Sequence, residues 1–329
     1  MTDRRVALCL TVLNEADNLS TLFASVTAQT RQPDEIVVVD GGSTDGTAAV
    51  VQQWQARGLP IALLSRPGAN ISAGRNAAIR QAQAPLIAVT DAGVRLEPGW
   101  LAALTRPFDD PDPPEVVAGF FRSDPRTTFE AALGATTLPI ASEVRPERIY
   151  PSSRSVAFAR RAWEQVGGYP EWLDYCEDLI FDFALEDAGC RQVFAPDAVV
   201  HFRPRPSPRA FYLQYYRYAR GDGKADLWRR RHAVRYATYL GLPLGLLAAR
   251  RWPWLLLPVG LAAAGYLRRP YARLWPLLST MSWRERLTAL AWVPALRLIG
   301  DVAKMAGYPV GLWWRLCHLR DVPADHPRR

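Results

Sequence analysis

Apolar and polar positions follow two different patterns along the chain. From residue 6 to about residue 200, short apolar runs alternate with amphipathic stretches, and after about residue 205 the apolar stretches become longer. Short apolar runs bounded by turn residues are typical of buried strands, whereas apolar positions that recur every three to four residues are typical of helices. The sequence therefore predicts an α/β domain followed by a helical region.

The alternation predicts seven elements in the order β-α-β-α-β-α-β. Strands are predicted at residues 6–13, 36–39, 61–64 and 86–90, with helices at 18–28, 47–56 and 72–83. Pro33, Pro60, Pro67 and Pro85 fall between these elements, which supports the boundaries. Strands separated by helices favour a parallel sheet with crossover connections.

The end of the second predicted strand is the most informative segment. Residues 35–47 read EIVVVDGGSTDGT, in which a β-branched run ends at Asp40 and two glycines. Ligands of open α/β sheets bind at the carboxyl ends of strands, and a carboxylate beside glycines suits the hydroxyls and ring N–H of a nucleoside. The segment also suits an ordinary turn in which Ser43 or Thr44, followed by Asp45, caps the next helix.

The positive charge of the chain, which is concentrated after residue 200, bears on what the second part of the chain binds. The 329 residues suffice for one large catalytic domain and an appendage. The formal net charge is +8, and arginines concentrate after residue 200, where they flank apolar stretches. A basic surface beside apolar segments favours an anionic membrane face. Nucleic acid would explain the charge but not its apolar neighbours, so we expect a membrane partner and no nucleic acid.

The start of the chain and the cysteines indicate a reducing compartment. Residues 1–5 are charged, and the apolar run at 6–13 is too short for the core of a signal peptide. Cys9, Cys176, Cys190 and Cys317 have neither metal-ligand spacing nor a pattern of close pairs. We expect the first domain to lie in the cytoplasm and all four cysteines to be reduced packing residues.

The last third of the chain contains three apolar stretches. Residues 236–249 and 252–267 are separated by two arginines, and each is shorter than the roughly 20 residues of a spanning helix. Tryptophans and tyrosines at their edges resemble an interfacial belt. Residues 287–314 contain Arg297, Asp301 and Lys304 and look amphipathic. These features predict membrane-associated helices over 236–329, with an ordinary soluble helical domain as the alternative.

Four motifs in the first part resemble one enzyme family. They read LTVLNEADNL (10–19), VVDGGSTDGT (38–47), AGRNAAI (73–79) and IAVTDAGVRLEPGWL (87–101). In that order and spacing they resemble the family 2 glycosyltransferases, which are inverting enzymes. The resemblance covers roughly residues 5–205. It implies an α/β fold of the GT-A type over residues 1–205, with a Rossmann-like, mostly parallel sheet, a nucleotide-sugar donor, and Mg²⁺ or Mn²⁺ as cofactor.

The resemblance assigns four residues to the donor. Glu15 and Asp40 would line the nucleoside pocket, Arg75 would contact phosphate or base, and Asp91 would hold the metal against the diphosphate. Mg²⁺ is commonly held by one or two carboxylates together with substrate phosphates and water. A solvated arginine and a turn aspartate are the alternatives for Arg75 and Asp91. UDP- and GDP-sugars are not distinguished.

Two glycines depart from the family pattern. Gly41 and Gly93 stand where these enzymes usually have a second aspartate, the latter in the Asp-x-Asp motif that begins at Asp91. One carboxylate, two phosphate oxygens and waters can still hold Mg²⁺. Donor recognition is therefore expected to depend on fewer carboxylates than usual.

The segment SVAFARRAWEQVGGYPEWLDYCEDLIFDFAL, residues 155–185, resembles the family's acceptor region. Asp178 matches the catalytic base that inversion requires. Glu177 beside it and Trp172 are assigned to acceptor binding, and Trp172 is a candidate for stacking on an acceptor or donor sugar. The alternatives are that Glu177 and Asp178 merely begin a helix whose dipole favours them, and that Trp172 packs. His201 lies where related enzymes often have a histidine near the metal, although a lone histidine is often structural.

Residues 214–218, QYYRY, resemble the Gln-x-x-Arg-Trp motif of membrane polysaccharide synthases in this family, with Tyr in place of Trp. The resemblance assigns Arg217 to the donor diphosphate, because arginine forms charge-assisted bonds to phosphate, and Gln214 and Tyr218 to the acceptor. An amphipathic helix at the membrane surface is the alternative. We assign residues 206–235 to an interfacial helical segment.

The sequence thus predicts an inverting glycosyltransferase of the hexosyltransferase class at the cytoplasmic face of the cell membrane. It would move a sugar from a UDP- or GDP-sugar to a lipid-linked or glycan acceptor in cell-envelope or exported polysaccharide biosynthesis. One alternative is transfer to a polyprenyl phosphate, which would reduce the need for Asp178. A second is a sugar-nucleotide-binding scaffold without catalysis, suggested by Gly41 and Gly93.

Overall fold

The structure is a computed structural model that describes residues 4–145, 149–320 and 322–323. Residues 1–3, part of the predicted charged start, and residues 324–329, the end of the predicted membrane-associated region, lie outside the described residues. The chain divides into two compact units. The first is formed by residues 4–122, 141–145, 149–202 and 323, and the second by residues 123–140, 203–320 and 322.

The seven elements predicted for the start of the chain are confirmed in the predicted order. The strands are β1 (Val6–Val12), β2 (Glu35–Asp40), β3 (Ile61–Ser65) and β4 (Leu86–Val89), and the helices between them are α1 (Ala16–Thr27), α2 (Thr47–Ala56) and α3 (Ile71–Gln81). The first unit continues with β5 (Val94–Leu96), α4 (Trp100–Thr105), β6 (Val116–Ser123), β7 (Val156–Ala159), α6 (Arg160–Gln165), α7 (Glu177–Asp187) and β8 (Gln192–Phe202). Helix α5 (Thr128–Thr137) belongs to the second unit.

The eight strands form one sheet in the order β3-β2-β1-β4-β7-β6-β8-β5. The first four strands are parallel neighbours, whereas β7 is antiparallel to β4 and β6, and β5 is antiparallel to β8. The predicted α/β sheet is confirmed and its first four strands are parallel as expected, whereas β7 and β5 form antiparallel pairs in the second half of the sheet. The regular crossover helices that keep neighbouring strands parallel end at β4.

Alternate residues of β1 enter two hydrophobic clusters. Leu8 and Leu10 pack with residues of α1, and Ala7 and Cys9 pack with residues of α3. Successive side chains of a strand point to opposite faces of its sheet, so both faces are covered. This explains the uninterrupted apolar runs in the sequence.

The second unit is helical. Its helices are α5 (Thr128–Thr137), α8 (Pro208–Lys224), α9 (Arg229–Ala249), α10 (Leu256–Leu278) and α11 (Trp283–Cys317). Residues 123–140 were expected in the first domain, but the structure groups them with the C-terminal helices. The reason is apolar packing, since Ala132 and Leu133 of α5 pack with Phe211 of α8 and Leu296 of α11.

Glycines bring α8 and α11 into close contact. A Cβ atom at Gly311 of α11 would lie 2.0 Å from the carbonyl oxygen of Arg220, and one at Gly307 would lie 2.1 Å from that of Tyr216. A Cβ at Gly223 of α8 would lie 2.3 Å from the carbonyl oxygen of Tyr308. Only glycine permits such an approach of two backbones.

The three apolar stretches of the sequence lie in α9, α10 and α11. Large apolar side chains on α9 and α10 are exposed, including Leu240, Leu244, Leu247, Leu257 and Leu261, as is Trp254 in the short turn between the two helices. Over residues 4–145, 149–320 and 322–323, no helix has both the length and the apolar character needed to cross a bilayer. Membrane association of residues 236–329 stays a prediction.

The four cysteines are free thiols, and three of them are buried as expected. Burial raises the pKa of the Cys9 thiol far above its usual range. Cys317 is exposed. Its assignment as a packing residue is wrong, because it lies on the outward side of the last turn of α11.

Gly311→Ala is expected to destabilise the second unit, because the added methyl group would meet the carbonyl oxygen of Arg220. Overpacking typically costs about 1–3 kcal/mol, so the midpoint of thermal unfolding followed by circular dichroism should fall by roughly 2–10 °C. Gly241→Ala is the matched control. It lies in α9 with nothing within 4 Å of its Cβ, and alanine favours a helix by about 0.5–1 kcal/mol. Equal midpoints for the two variants would contradict the close helix contact.

Candidate active site

The loops that follow β1 and β2 are joined by hydrogen bonds. Asn14 Oδ1 accepts from the backbone N–H of Thr44 at 2.9 Å, and Ser43 Oγ accepts from the backbone N–H of Asn14 at 2.9 Å. Thr47 Oγ1 accepts from the backbone N–H of Glu15, also at 2.9 Å. These bonds hold half-exposed Glu15 at the same sheet edge as the carboxyl end of β2.

Asp40 is buried at the end of β2. Its Oδ1 accepts from the backbone N–H groups of Gly42 at 3.0 Å and Ser43 at 2.8 Å, and from Ser43 Oγ at 2.7 Å. Oδ1 therefore fixes the turn, and Oδ2 is the atom that remains for a nucleoside contact. The predicted cap from Ser43 is not formed, because α2 begins at Thr47 and it is Asp45 Oδ1 that accepts from the Thr47 amide at 3.1 Å.

Arg75 is placed by a close contact between α3 and β1. A Cβ at the preceding Gly74 would lie 2.6 Å from Thr11 Cγ2, so glycine is required for this approach. The Arg75 side chain is 3% exposed. Its Nη1 donates to Glu177 Oε1 at 2.7 Å and its Nη2 donates to Asp91 Oδ1 at 3.0 Å. One guanidinium thus joins the end of β4 to the start of α7.

Three carboxyl groups lie in the first two turns of α7. Cys176 has a left-handed backbone (φ 65°), and the helix begins at Glu177, which is buried, followed by half-buried Asp178. Asp178 Oδ1 accepts from the Leu179 N–H at 2.9 Å, at the helix end that favours negative charge. Asp182 is 3% exposed, and its Oδ2 has no hydrogen-bond partner within the part of the chain that the structure describes.

Burial and mutual repulsion shift the acid–base properties of this cluster. Burial and, to a smaller extent, the charge of Asp178 raise the pKa of Glu177 to about 7, against the opposing effect of Arg75. Burial also raises the pKa of Asp182 well above its usual range, with Asp178 and Glu177 adding to the effect. Burial alone would lower the pKa of Arg75, but Glu177 and Asp91 raise it. The cluster therefore retains a proton at neutral pH and keeps its guanidinium charged.

The loop that carries Trp172 is fixed by Asn76, which is 1% exposed. Asn76 Oδ1 accepts from Trp163 Nε1 at 3.0 Å and from the Tyr169 N–H at 2.9 Å. Its Nδ2 donates to the Tyr169 carbonyl at 2.8 Å and to Glu171 Oε1 at 2.9 Å. Sequence reasoning missed this residue, although its place beside Arg75 in AGRNAAI was a usable signal.

The sequence models of two protein families match parts of this chain. The sequence model of glycosyl transferase family 2 matches residues 7–158, and that of glycosyl transferase family group 2 matches residues 127–314, more than half of the chain. The chain belongs to glycosyl transferase family group 2. The resemblance inferred from the four motifs is thereby confirmed at the level of the family, and this glycosyltransferase is an enzyme.

Relatives of this glycosyltransferase include O-antigen chain rhamnosyltransferase RfbN of Salmonella typhimurium, 22% identical over 229 residues that cover 64% of this chain and 70% of the relative. Succinoglycan biosynthesis protein ExoA of Rhizobium meliloti is 25% identical over 292 residues, covering 81% of this chain and 85% of the relative. The solved structure of mannosyltransferase PcManGT from Pyrobaculum calidifontis, in complex with GDP-Man and Mn²⁺, is 21% identical. Its TM-score of 0.54, over 96% of this chain and 88% of that one, shows that the fold is shared.

Asp91 of this glycosyltransferase has a donor set that fits a divalent cation. Its side chain is 34% exposed, with Oδ1 bonded to Arg75 and Oδ2 3.7 Å from Arg154 Nε. A carboxylate has about four lone-pair sites, so one cation can still be bound, with substrate phosphates and water as further ligands. No group of three His, Cys, Asp or Glu residues among the described positions forms a ready-made metal site. The metal roles of Asp91 and His201 stay predictions.

His201 lies on β8 and is bonded to a glutamate. Its Nε2 is 2.9 Å from Glu97 Oε1, and His201 is paired with Arg95 of β5. A carboxylate partner of this kind orients a histidine and fixes which ring nitrogen carries the proton. Nδ1 is then the nitrogen that can accept from a ligand or bind a metal.

The residues predicted from the QYYRY segment lie on α8 of the second unit. Gln214 Nε2 donates to the Tyr218 hydroxyl oxygen at 2.8 Å, so these two predicted acceptor residues are in contact one helical turn apart. Arg217 is exposed. Their proposed roles toward donor and acceptor stay predictions.

Arg154 is a second residue that the sequence did not reveal. Its guanidinium lies 4.7 Å from the ring centroid of Phe202, and its Nε lies 3.7 Å from Asp91 Oδ2. Asp91 therefore faces two arginines, Arg75 and Arg154. No motif marks Arg154, because it lies 63 positions away from Asp91 in a segment of irregular structure.

The raised pKa of Glu177 predicts a cost of folding that depends on pH. As the pH rises from the usual value of 4.5 to about 7, the unfolded chain loses this proton while the folded chain retains it. Because the folded state binds more protons in this window, its stability falls as the pH rises. Glu177→Gln removes the titration and keeps an oxygen for Arg75. The free energy of unfolding of this variant, relative to that of wild type, should therefore increase between about pH 4.5 and pH 7, by up to about 3 kcal/mol.

Thermal unfolding of both proteins between about pH 4.5 and pH 7 measures this difference. Arg75, Asp178 and Asp182 face the substituted group and are present in both chains. Glu186→Gln removes an exposed carboxylate from the same helix and controls for the loss of one charge. A difference between wild type and Glu177→Gln that stays constant with pH would contradict the assignment.

Proposed function

We propose that this glycosyltransferase moves a sugar from a UDP- or GDP-sugar to a hydroxyl of a lipid-linked or glycan acceptor, with inversion at the anomeric carbon. One observation carries the proposal. The Arg75 guanidinium bonds both to Asp91, assigned to the donor diphosphate, and to Glu177, the neighbour of the assigned base Asp178. The buried Arg75 guanidinium thus connects the carboxylate assigned to the donor with the start of the helix that carries the assigned base.

Asp178 is the base in this proposal. Its carboxylate takes the proton of the acceptor hydroxyl while that oxygen attacks the anomeric carbon, and the nucleoside diphosphate leaves from the opposite side. Glu177 is paired with Arg75, which holds the first turn of α7 in place, and the raised pKa of Asp182 limits the negative charge of the cluster. Trp172, held by the Asn76 loop, provides an aromatic face for a sugar.

On the donor side, Glu15 and Asp40 contact the nucleoside, and Arg75, Arg154 and Asp91 lie where they can meet the diphosphate. When bound, Mg²⁺ or Mn²⁺ would neutralise charge on the leaving diphosphate. A neighbour of the same fold is known in complex with GDP-Man and Mn²⁺, which supports the cofactor assignment. By the sequence resemblance, we also propose that Arg217 acts toward the donor diphosphate and that Gln214 and Tyr218 act toward the acceptor.

The setting that we propose is cell-envelope or exported polysaccharide biosynthesis at the cytoplasmic face of the membrane. The names of two relatives refer to an O-antigen chain and to succinoglycan. Exposed leucines and tryptophans on α9 and α10, next to arginines, are suited to a membrane surface with anionic headgroups. Such a surface would hold the enzyme where lipid-linked acceptors lie.

Asp178→Asn tests the base. The substitution should lower kcat for sugar transfer by about 100-fold to 10,000-fold, because general-base catalysis contributes about that much, while donor binding stays unchanged. Asp187→Asn, an exposed position in the last turn of the same helix, is the control and should retain full turnover. If Asp178→Asn keeps turnover near wild type, the acceptor is a polyprenyl phosphate that needs no base.

Donor binding is tested by thermal shift with UDP- and GDP-sugars, with and without Mn²⁺. A donor at about 100 times its Kd should stabilise the protein by about 2.7 kcal/mol, and Asp91→Asn should remove the part that depends on Mn²⁺. Asp110→Asn, in an exposed loop, is the matched control. The absence of stabilisation by any nucleoside diphosphate would count against the proposed function, and binding without turnover would support the scaffold alternative.

A further inference from the structure

The second unit contains a cavity with charged walls. It has a volume of about 150 Å³ and is bounded by α5, α8, α10 and α11. Polar side chains face it from each of these helices: Thr136 and Thr137 of α5, Tyr215 of α8, Tyr266 of α10, and Arg297, Asp301 and Lys304 of α11. A single buried water needs about 10–15 Å³ of such space, so this cavity has room for a group of the size of a phosphate.

Two cations of this cavity have aromatic rings as neighbours, and among the described residues neither forms an ion pair. The Arg297 guanidinium lies 4.5 Å from the ring centroid of Tyr266, and Lys304 Nζ lies 4.8 Å from that of Tyr215. Arg297 Nε is buried and has no hydrogen-bond partner within the described residues. A buried donor without a partner is costly, and the ring faces compensate a charge only in part.

The single carboxylate of the lining is already compensated. Asp301 Oδ1 accepts from Arg235 Nε at 2.8 Å, and its Oδ2 accepts from the Tyr239 hydroxyl at 2.9 Å and from the Tyr266 hydroxyl. Asp301 is thus a partner of Arg235, which is not itself part of the lining. Arg297 and Lys304 remain as an excess of two positive charges.

The acid–base behaviour of Lys304 agrees with this excess. Burial lowers its pKa, the Arg235 and Arg297 guanidinium groups lower it further, and Asp301 and Asp222 oppose the shift. An ammonium group destabilised by burial and by like charges gains most from an added anion. Arg297, Asp301 and Lys304 also recur at intervals of four and three residues, which places them on one face of α11.

We propose that this cavity binds a phosphate or diphosphate group. Arginine and lysine are the side chains that most often bind phosphate, and arginine adds the directed N–H donors that a phosphate oxygen accepts. The unpartnered Arg297 Nε provides such a donor. If the acceptor is lipid-linked, as the proposed function holds, its phosphate is the expected ligand; a free diphosphate released on sugar transfer is the other source of the same chemistry.

The test measures binding of inorganic pyrophosphate to the full chain by isothermal titration calorimetry. Arg297→Gln and Lys304→Met should each weaken binding by about tenfold or more, because a charged hydrogen bond is lost. Arg268→Gln, an exposed arginine of α10, removes the same charge outside the cavity and should leave the affinity unchanged. Lys304→Arg should retain binding, which separates loss of charge from loss of fold. Equal affinity in wild type, Arg297→Gln and Lys304→Met would overturn the proposal.

A second measurement separates the two sources. Flotation with phosphatidylcholine vesicles that contain a polyprenyl phosphate is compared with flotation on phosphatidylcholine alone. Stronger flotation with the polyprenyl phosphate, lost in Arg297→Gln and in excess pyrophosphate, supports a lipid-linked ligand. Pyrophosphate binding that needs Arg297, without any effect of the polyprenyl phosphate, supports the site and overturns the lipid source.

Donor binding by the same variants, measured by thermal shift with nucleotide sugars, distinguishes failure of the cavity assignment from failure of the proposed function. Arg297→Gln and Lys304→Met should respond to the donor as wild type does. If no donor stabilises any of these proteins, the proposed function is contradicted. Pyrophosphate binding then still tests the cavity independently. If the donor stabilises all of them and the pyrophosphate affinity is the same in Arg297→Gln, Lys304→Met and wild type, only the cavity assignment is contradicted.

Discussion

The Arg75 guanidinium and its two carboxylate partners are the interaction on which the rest of the first unit depends. A buried charge must be paired and hydrogen-bonded, and removing one partner of such a pair is strongly destabilising. Arg75 meets Glu177 and Asp91 only because Gly74 allows α3 to touch β1 and because the backbone turns at Cys176 to begin α7. The carboxyl ends of the parallel strands and the start of α7 are therefore held together by electrostatics as well as by packing.

The two units bury opposite excesses of charge. In the first, the carboxyl groups of Glu177, Asp178 and Asp182 crowd one guanidinium, and burial raises the pKa of Asp182 so that a proton is retained. In the second, Arg297 and Lys304 lack a carboxylate of their own, since Asp301 is bonded to Arg235. A negative cluster is suited to taking up a proton, and a positive one to binding phosphate.

Local patterns predicted the first half of the fold well. The strands and helices up to β4 follow from apolar runs, turn residues and prolines, because these signals act between near neighbours in the sequence. The antiparallel pairs formed by β7 and β5 were not predicted, because the regular alternation of strand and helix in the sequence ends at β4. The assignment of residues 123–140 was also wrong, because α5 is recognisable as a helix locally while its apolar partners Phe211 and Leu296 are distant in the chain.

The sequence by itself determined the family, the order of the β/α elements and the identity of the strand-end residues, because motif spacing and periodicity are local properties. The tertiary structure alone decided which charges meet. Arg75 and Glu177 are 102 positions apart, and Asn76, Arg154 and Asp182 acquire their contacts only when separate elements pack. Burial and pairing, which set pKa values and the cost of an unpaired charge, are properties of that packing and cannot be read from residue types.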